Sequence, residues 1–196
     1  MGTQRLKVRE ESKAQETRET VTYSETAIAR LIESATGGDF GAYGELYGIY
    51  LDRIYRYVFY QVKDKMTAED LVGEVFVKAW KAIGSYKGKS QAFSAWLYRI
   101  AHNHLIDDFR KRRKLTSLEM ETPAETGNPE QEAEGKLVQQ ELSEAINDLP
   151  QNQKQVILLK FIEGLDNSEI GKIMGKSQGA IRVLQMRALA ALRNMG

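Results

Sequence analysis

An all-α protein, built as two small helical domains joined by a flexible acidic linker, is what this chain of 196 residues predicts. Three observations carry that reading. Apolar residues recur at three- and four-residue steps along most of the chain, and strand-type alternation is hard to find. The three prolines stand at 123, 129 and 150, which leaves long stretches free for helix. Between Glu119 and Glu134 lie six glutamates, two prolines, a glycine and no basic residue, a composition that cannot bury enough surface to fold.

Composition sets bounds on function. An apolar fraction of 42% is enough for packed cores. The formal net charge is +1, so any attraction to nucleic acid has to come from local clusters. Cysteine is absent, which excludes disulfides, thiolate metal sites and thiol catalysis. No apolar run approaches the length of a membrane span. Met1 to Glu19 is polar and charged, without the apolar segment of a secretory signal. The expectation is a soluble intracellular protein.

The elements follow in order. Residues 1–24 read as a disordered or loosely helical extension. Residues 25–114 form the first domain, with three or four helices packed on apolar stripes. The stripes are Phe40, Tyr43, Tyr47, Tyr50, Ile54 and Tyr57 with Val58; then Leu71, Val72, Val75, Phe76, Ala79, Trp80 and Ile83. A third runs through Phe93, Trp96, Leu97, Ile100, Ala101, Leu105 and Phe109. The five positives Arg110 to Lys114 close this domain, and 115–135 is the linker, read as a solvated spacer. Residues 136–196 form the second domain. Leu137, Leu142, Ile146 and Leu149 mark its first helix. Pro150 stands where a helix can start, because its missing N–H would be unpaired there anyway. Val156, Leu158, Leu159, Phe161 and Ile162 form the next stripe, which Gly164 ends.

The last thirty residues carry the sharpest signal. Asp166 and Glu169 have capping-box spacing, Gly175 is a turn residue, and Ser177 is the N-cap of a final helix. Two short capped helices around a tight turn make a helix-turn-helix, whose second helix fits the major groove of DNA. From Lys172 onward there are five basic residues and no acidic one. In the final helix Ile181, Leu184, Ala188, Leu189 and Leu192 can face the core. Gln178, Arg182, Gln185, Met186, Arg187 and Arg193 fall outside it. Arg and Gln can address base edges, while Lys172, Lys176 and Arg193 suit phosphate.

The first domain has a nucleic-acid signal of its own. Arg99, Asn103, Asp107 and Arg110 share the polar face of the helix that starts at Phe93. Before it lies a flexible basic loop, Ser85 to Ala92, flanked by Tyr86, Phe93 and Trp96. Lysines interleaved with aromatics suit a single strand, although Phe93 and Trp96 read first as core. Two other motifs fail. Gly84-Ser85-Tyr86-Lys87-Gly88-Lys89-Ser90 is one residue short of a P-loop and follows a helix, not a strand. His102-Asn103-His104 resembles a nuclease motif, but histidines two apart on a helix point to different sides and cannot share a metal. No nucleophilic constellation stands out, so neither an enzyme nor a metal site is expected.

These residues resemble a family. Asp70-Leu71-Val72-Gly73-Glu74-Val75-Phe76-Val77-Lys78-Ala79-Trp80 is similar to the core-polymerase-binding helix of bacterial sigma factors. Phe93 to Asn103, with Ile106 to Arg113, resembles their −10-recognition segment. Leu149-Pro150 through Glu163-Gly164-Leu165, with the helix-turn-helix, resembles their −35-reading domain. Size and layout resemble the extracytoplasmic-function (ECF) group, whose folded parts are a region 2 bundle and a region 4 helix-turn-helix.

The resemblance implies a protein that binds core RNA polymerase and directs it to promoters, without cofactor or catalytic residue of its own. Asp70, Gly73 and Glu74 would meet the β′ clamp helices, with further contact to the β subunit. Tyr86, Lys87, Lys89, Ser90, Arg99, Asn103, Asp107, Arg110, Arg112 and Arg113 would hold the −10 non-template strand. Lys176, Ser177, Gln178, Arg182, Val183, Met186 and Arg187 would read −35 duplex. It also implies a cytoplasmic protein, on the nucleoid when in holoenzyme, and restraint by an anti-sigma protein. Gly73 departs from the family, which usually has a longer polar residue there. Asp166-Asn167 and Gly171 are unusual too. A mid-helix glycine costs about 1 kcal/mol relative to alanine, so either the backbone approaches something closely at Gly73 or the helix is weakened. The runner-up is a helix-turn-helix repressor or activator without stable polymerase binding, which leaves the first domain unexplained. A helical adaptor with no DNA affinity is a third class.

Overall fold

The computed structural model describes residues 23–116 and 144–194. Nearly all of the predicted extension and linker, together with Leu137 and Leu142, lies outside the described residues. What is described is helical, with no strand among the described residues.

Four long helices make the first body. Helix α1 (Glu25–Thr36) starts at Ser24, whose hydroxyl accepts from Ala27 N at 3.2 Å. Helix α2 (Phe40–Val62) is capped by Asp39, which accepts from Gly41 N and Ala42 N. It stops at Lys63, a left-handed residue with φ 57°. Helix α3 (Lys65–Ile83) is capped by Asp64 through Thr67 N at 2.8 Å. Three different acceptors thus satisfy amide groups that helix starts leave unpaired. A short 3-10 turn, Ser90–Ala92, leads into α4 (Phe93–Thr116), which runs two residues past the expected domain boundary.

The core of this body is aromatic. Tyr57 and Tyr98 are fully buried and meet edge to face at 5.5 Å. Tyr43 is buried and donates its hydroxyl to Phe76 O at 2.6 Å, which satisfies the group that burial isolates. Two members of the α2 stripe depart from expectation. Phe40 is 71% exposed because it stands at the first position of the helix, at the rim, with its ring edge-on to Trp80. Tyr47 is 39% exposed and leans on Phe76.

In the second body residues 144–148 are helical, and Ile146 and Leu149 are buried as expected. Helix α5 (Gln151–Ile157) follows Pro150, whose carbonyl accepts from Gln153 N and Lys154 N. Its end is not an ordinary α-turn. Leu158–Ile162 winds as a π-turn, closed by Glu163 N donating to Leu158 O. The extra residue in that turn shifts the register. Phe161, expected on the stripe, is rotated out to 56% exposure, while Glu163 is turned in to 6%. Gly164 then turns the chain with φ 72°. Helices α6 (Asn167–Met174) and α7 (Gln178–Arg193) complete the body.

The two bodies meet where α4 packs on α6. Glu163 occupies the seam. The buried Tyr98 hydroxyl donates to Glu163 Oε2, Arg53 Nε approaches the same oxygen at 3.3 Å, and Arg53 Nη2 donates to Glu163 O at 3.1 Å. Burial, with the bond to Glu163 second, holds the Tyr98 phenol far above its ordinary range. Gln151 donates to Gln61 Oε1 at 2.6 Å across the same seam. Lys154 and Gln155 of α5 are buried as well.

Candidate nucleic-acid interface

Local chemistry builds the helix-turn-helix as the sequence predicts. Asp166 accepts from Ser168 N at 2.7 Å and from Glu169 N at 2.8 Å, and Glu169 Oε2 accepts from Asp166 N in return. The bond from Glu169 N is the main reason the Asp166 carboxyl titrates below its usual range. Gly175 is left-handed, with φ 64° and ψ 36°, and Lys176 N closes the turn onto Gly171 O at 2.9 Å. The Ser177 hydroxyl accepts from Ala180 N at 3.2 Å. Ile170, Ile173, Ile181 and Ala188 lock the two helices together.

The outward face of α7 presents what the sequence placed there. Lys176, Gln178, Arg182, Val183, Met186 and Arg187 are all exposed, Met186 at 65%. Ser177 is exposed too, with its hydroxyl engaged as the cap. A shallow hollow over the turn is lined by Lys172, Lys176, Ser168 and Gln178. Leu189 does not join the core. It lies 44% exposed beside Met186, three residues along the same outward face, while Ile181 and Ala188 fill the interior.

On α4 the polar face is also exposed, with Arg99, Asn103, Asp107 and Arg110 in a row. The basic end is partly balanced. Arg110 lies 3.8 Å from Asp107, and Arg112 donates to Asp108 at 2.7 Å, while Arg113 is exposed. The loop before α4 is braced rather than loose. Tyr86 is half-buried, with its ring against Phe93 and Trp96 and its hydroxyl donating to Lys89 O at 2.7 Å. A Cβ on Gly88 would stand 2.5 Å from the Tyr86 hydroxyl, so this glycine lets the chain pass under the ring. Lys87 and Lys89 project outward, and Ser90 is half-buried. Phe93 is core as expected, and Trp96 is half-buried.

On α3, Asp70, Gly73 and Glu74 share one exposed face. A Cβ at Gly73 would meet nothing within 4 Å, so no close approach inside this chain requires that glycine. The two histidines of α4 do point apart. His102 faces the Tyr57 hydroxyl at 3.5 Å. His104 reaches the α3 face, with Nδ1 2.6 Å from Lys78 Nζ and Nε2 3.0 Å from Glu74 Oε2. Burial first, and a neighbouring lysine second, hold both imidazoles below their ordinary pKa: Lys176 for His102 and Lys78 for His104. Among the described residues no three His, Cys, Asp or Glu side chains converge as a metal site. No helix among the described residues is long and apolar enough to cross a membrane.

Sequence reasoning missed Arg53, Lys154 and Glu163. A charged residue inside an apolar stripe was the available signal: Arg53 stands between Tyr50 and Ile54, and Glu163 directly follows Ile162.

Comparison with known proteins agrees with this architecture. Residues 46–115 match the family model of Sigma-70 region 2, and residues 139–192 match that of Sigma-70, region 4. The chain is 37% identical over 172 residues to the ECF RNA polymerase sigma factor BldN of Streptomyces coelicolor, covering 86% of this chain and 65% of that one. It is 33% identical over 181 residues to the ECF RNA polymerase sigma factor SigW of Bacillus subtilis, covering 86% of this chain and 96% of that one. Among solved structures, the sigma factor RpoE from Bartonella quintana, in complex with the anti-sigma factor NepR, superposes with a TM-score of 0.70 at 24% identity. That match covers 78% of this chain and 94% of RpoE and speaks to the fold. With two matched regions in the order and at the positions that its helices require, the chain belongs to the ECF family of RNA polymerase sigma factors.

Proposed function

We propose that this protein binds core RNA polymerase and directs it to promoters, reading −35 duplex with α7 and the −10 non-template strand with α4 and its preceding loop. The observation that carries this reading is the outward face of α7. It is a capped helix of groove-fitting size, with Gln178, Arg182, Val183, Met186 and Arg187 exposed together and two lysines over the turn. In this division residues 25–114 are the polymerase-binding and −10-reading domain, 115–135 the linker and 136–196 the −35-reading domain. Asp70, Gly73 and Glu74 address the β′ clamp helices, and an exposed acidic face suits a basic partner surface. Arg99, Asn103, Asp107, Arg110, Arg112 and Arg113, with Tyr86, Lys87, Lys89 and Ser90, hold the opened strand. Lys176 and Ser177 sit at the start of the −35 contact. The polymerase supplies the chemistry, and the protein acts in the cytoplasm as a specificity subunit rather than an enzyme. The RpoE–NepR complex supports restraint by an anti-sigma protein here as well.

Run-off transcription with core enzyme on a genomic fragment library tests the reading. Initiation at discrete sites is the expected result, and none at any template would sink it. Two variants sharpen it. Glu74→Arg reverses a charge that is 63% exposed, and it is expected to abolish co-purification with core polymerase while leaving −35 duplex binding intact. Arg187→Ala is expected to weaken −35 duplex binding by about 1–3 kcal/mol, read by a mobility-shift titration at fixed salt. A repressor without polymerase contact would show the second effect and not the first.

A further inference from the structure

We propose that Glu163 is a latch that keeps the free chain in a closed form unable to engage a whole promoter. The inference rests on the reading of α4 and α7 as the two promoter-contacting elements.

The latch is one carboxylate of the second body seated in the first. The Glu163 side chain is 1% exposed. Its partners among the described residues come from across the seam: the Tyr98 hydroxyl of α4 donates to Oε2, and Arg53 Nε of α2 donates to the same oxygen at 3.3 Å. Arg53 Nη2 adds a bond to the Glu163 carbonyl at 3.1 Å. The π-turn aims the carboxylate inward, since Glu163 N is fixed on Leu158 O. Oε1 is buried without a hydrogen-bond partner. A buried ion pair satisfied on one side only adds little net stability while intact. Removal of one member is costly, because it strands the other charge away from water.

Closure brings the two reading elements together. Helix α4 packs on α6, the first helix of the helix-turn-helix. After burial itself, Lys176 is what lowers the His102 imidazole, so the turn before α7 lies near α4. Packed in this way, the described residues make a body about 40 Å across, from a radius of gyration of about 15 Å. Elements at −10 and −35 stand about 25 base pairs apart, or about 85 Å along the duplex. A closed chain therefore cannot lay α4 on one and α7 on the other. Residues 117–143, at up to about 3.3 Å each, are long enough to allow the separation. Opening is then a step of its own, and the open fraction scales the apparent affinity for a complete promoter.

The experiment uses the full chain. Cysteine is absent, so Glu45→Cys and Asn194→Cys, both at exposed positions, take a dye pair on the two bodies for single-molecule energy transfer. The otherwise unchanged chain is expected to show mainly one high-transfer population. Arg53→Ala strands Glu163 and is expected to raise the ratio of open to closed chains about tenfold or more. In a Glu163→Gln background the same change is expected to move that ratio less than about threefold. Circular dichroism tracks folding of each variant. Should Arg53→Ala not fold, Tyr98→Phe keeps the ring, removes the donor, and is expected to raise the ratio about fivefold. In run-off transcription with core polymerase, the opened variant should reach half-maximal output at about fivefold lower concentration. An unlatched chain that is already open, or equal shifts in both backgrounds, overturns the latch. Opening with no gain in transcription overturns its inhibitory role. If the wild-type chain supports no transcription at all, the promoter reading fails first, while the dye distances still report whether Glu163 holds the bodies together.

Discussion

Gly171→Val is expected to destabilise the helix-turn-helix by about 3 kcal/mol or more and to remove −35 duplex binding with it. A Cβ at Gly171 would stand 2.7 Å from Lys176 O, a backbone atom that cannot rotate away. The same turn is closed by Lys176 N donating to Gly171 O at 2.9 Å, so relief of the clash breaks the bond that forms the turn. Alanine is the milder probe. It recovers about 1 kcal/mol of helix propensity and still meets the carbonyl, so a net loss of about 1–2 kcal/mol is expected. Valine adds a branched Cβ to the same contact. Urea denaturation followed by circular dichroism measures both, and a valine variant as stable as the parent chain would mean that α6 and the turn do not close as described. The glycine that looked unusual in the sequence thus has a steric reason, unlike Gly73, which faces open space.

Lys154→Met should stabilise the protein at neutral pH by about 1–3 kcal/mol and should flatten its stability between pH 8 and 10.5. Lys154 is buried, and burial together with the nearby Lys63 pushes its ammonium from the ordinary 10.5 down to about 8. The sign follows from proton binding. Below pH 8 both folded and unfolded chains hold the proton, and the cost of the buried charge is present in full. Between 8 and 10.5 the unfolded chain keeps a proton that the folded chain has released, so stability rises with pH. Above 10.5 neither holds it and the gain stops. Methionine has nearly the same shape and no charge. Chemical denaturation of both chains at pH 7, 9 and 10.5 reads the difference directly, and parallel curves would count against a buried cation.

What could be read from the sequence was local. The capping box at Asp166 and Glu169, the Gly175 turn and the Ser177 cap depend on residues two to four apart, and all three formed as expected. Core stripes were legible where helices are regular. They failed at Phe161 because a π-turn changes the register by one residue, and no periodicity rule anticipates that. At Leu189 the failure was one of angle, since a neighbour of a core residue can still point outward. The contacts of Glu163 with Arg53 and Tyr98 span 110 and 65 residues, and chain order holds no record of them. The exposed faces of α3, α4 and α7 were legible in composition, but the insertion of His104 between Glu74 and Lys78 depends on how two helices cross.

An apolar contact between two helical bodies grows stronger with every Å² it covers. The seat of Glu163 is of a different kind. When the halves part, Arg53 and Glu163 both regain hydration, which offsets most of the ion pair that is lost. Gln61 and Gln151 at the same place also turn from each other to solvent. The molecule is in this sense jointed. Its halves meet through a buried polar seam, and separating them exchanges protein partners for water at little net electrostatic cost.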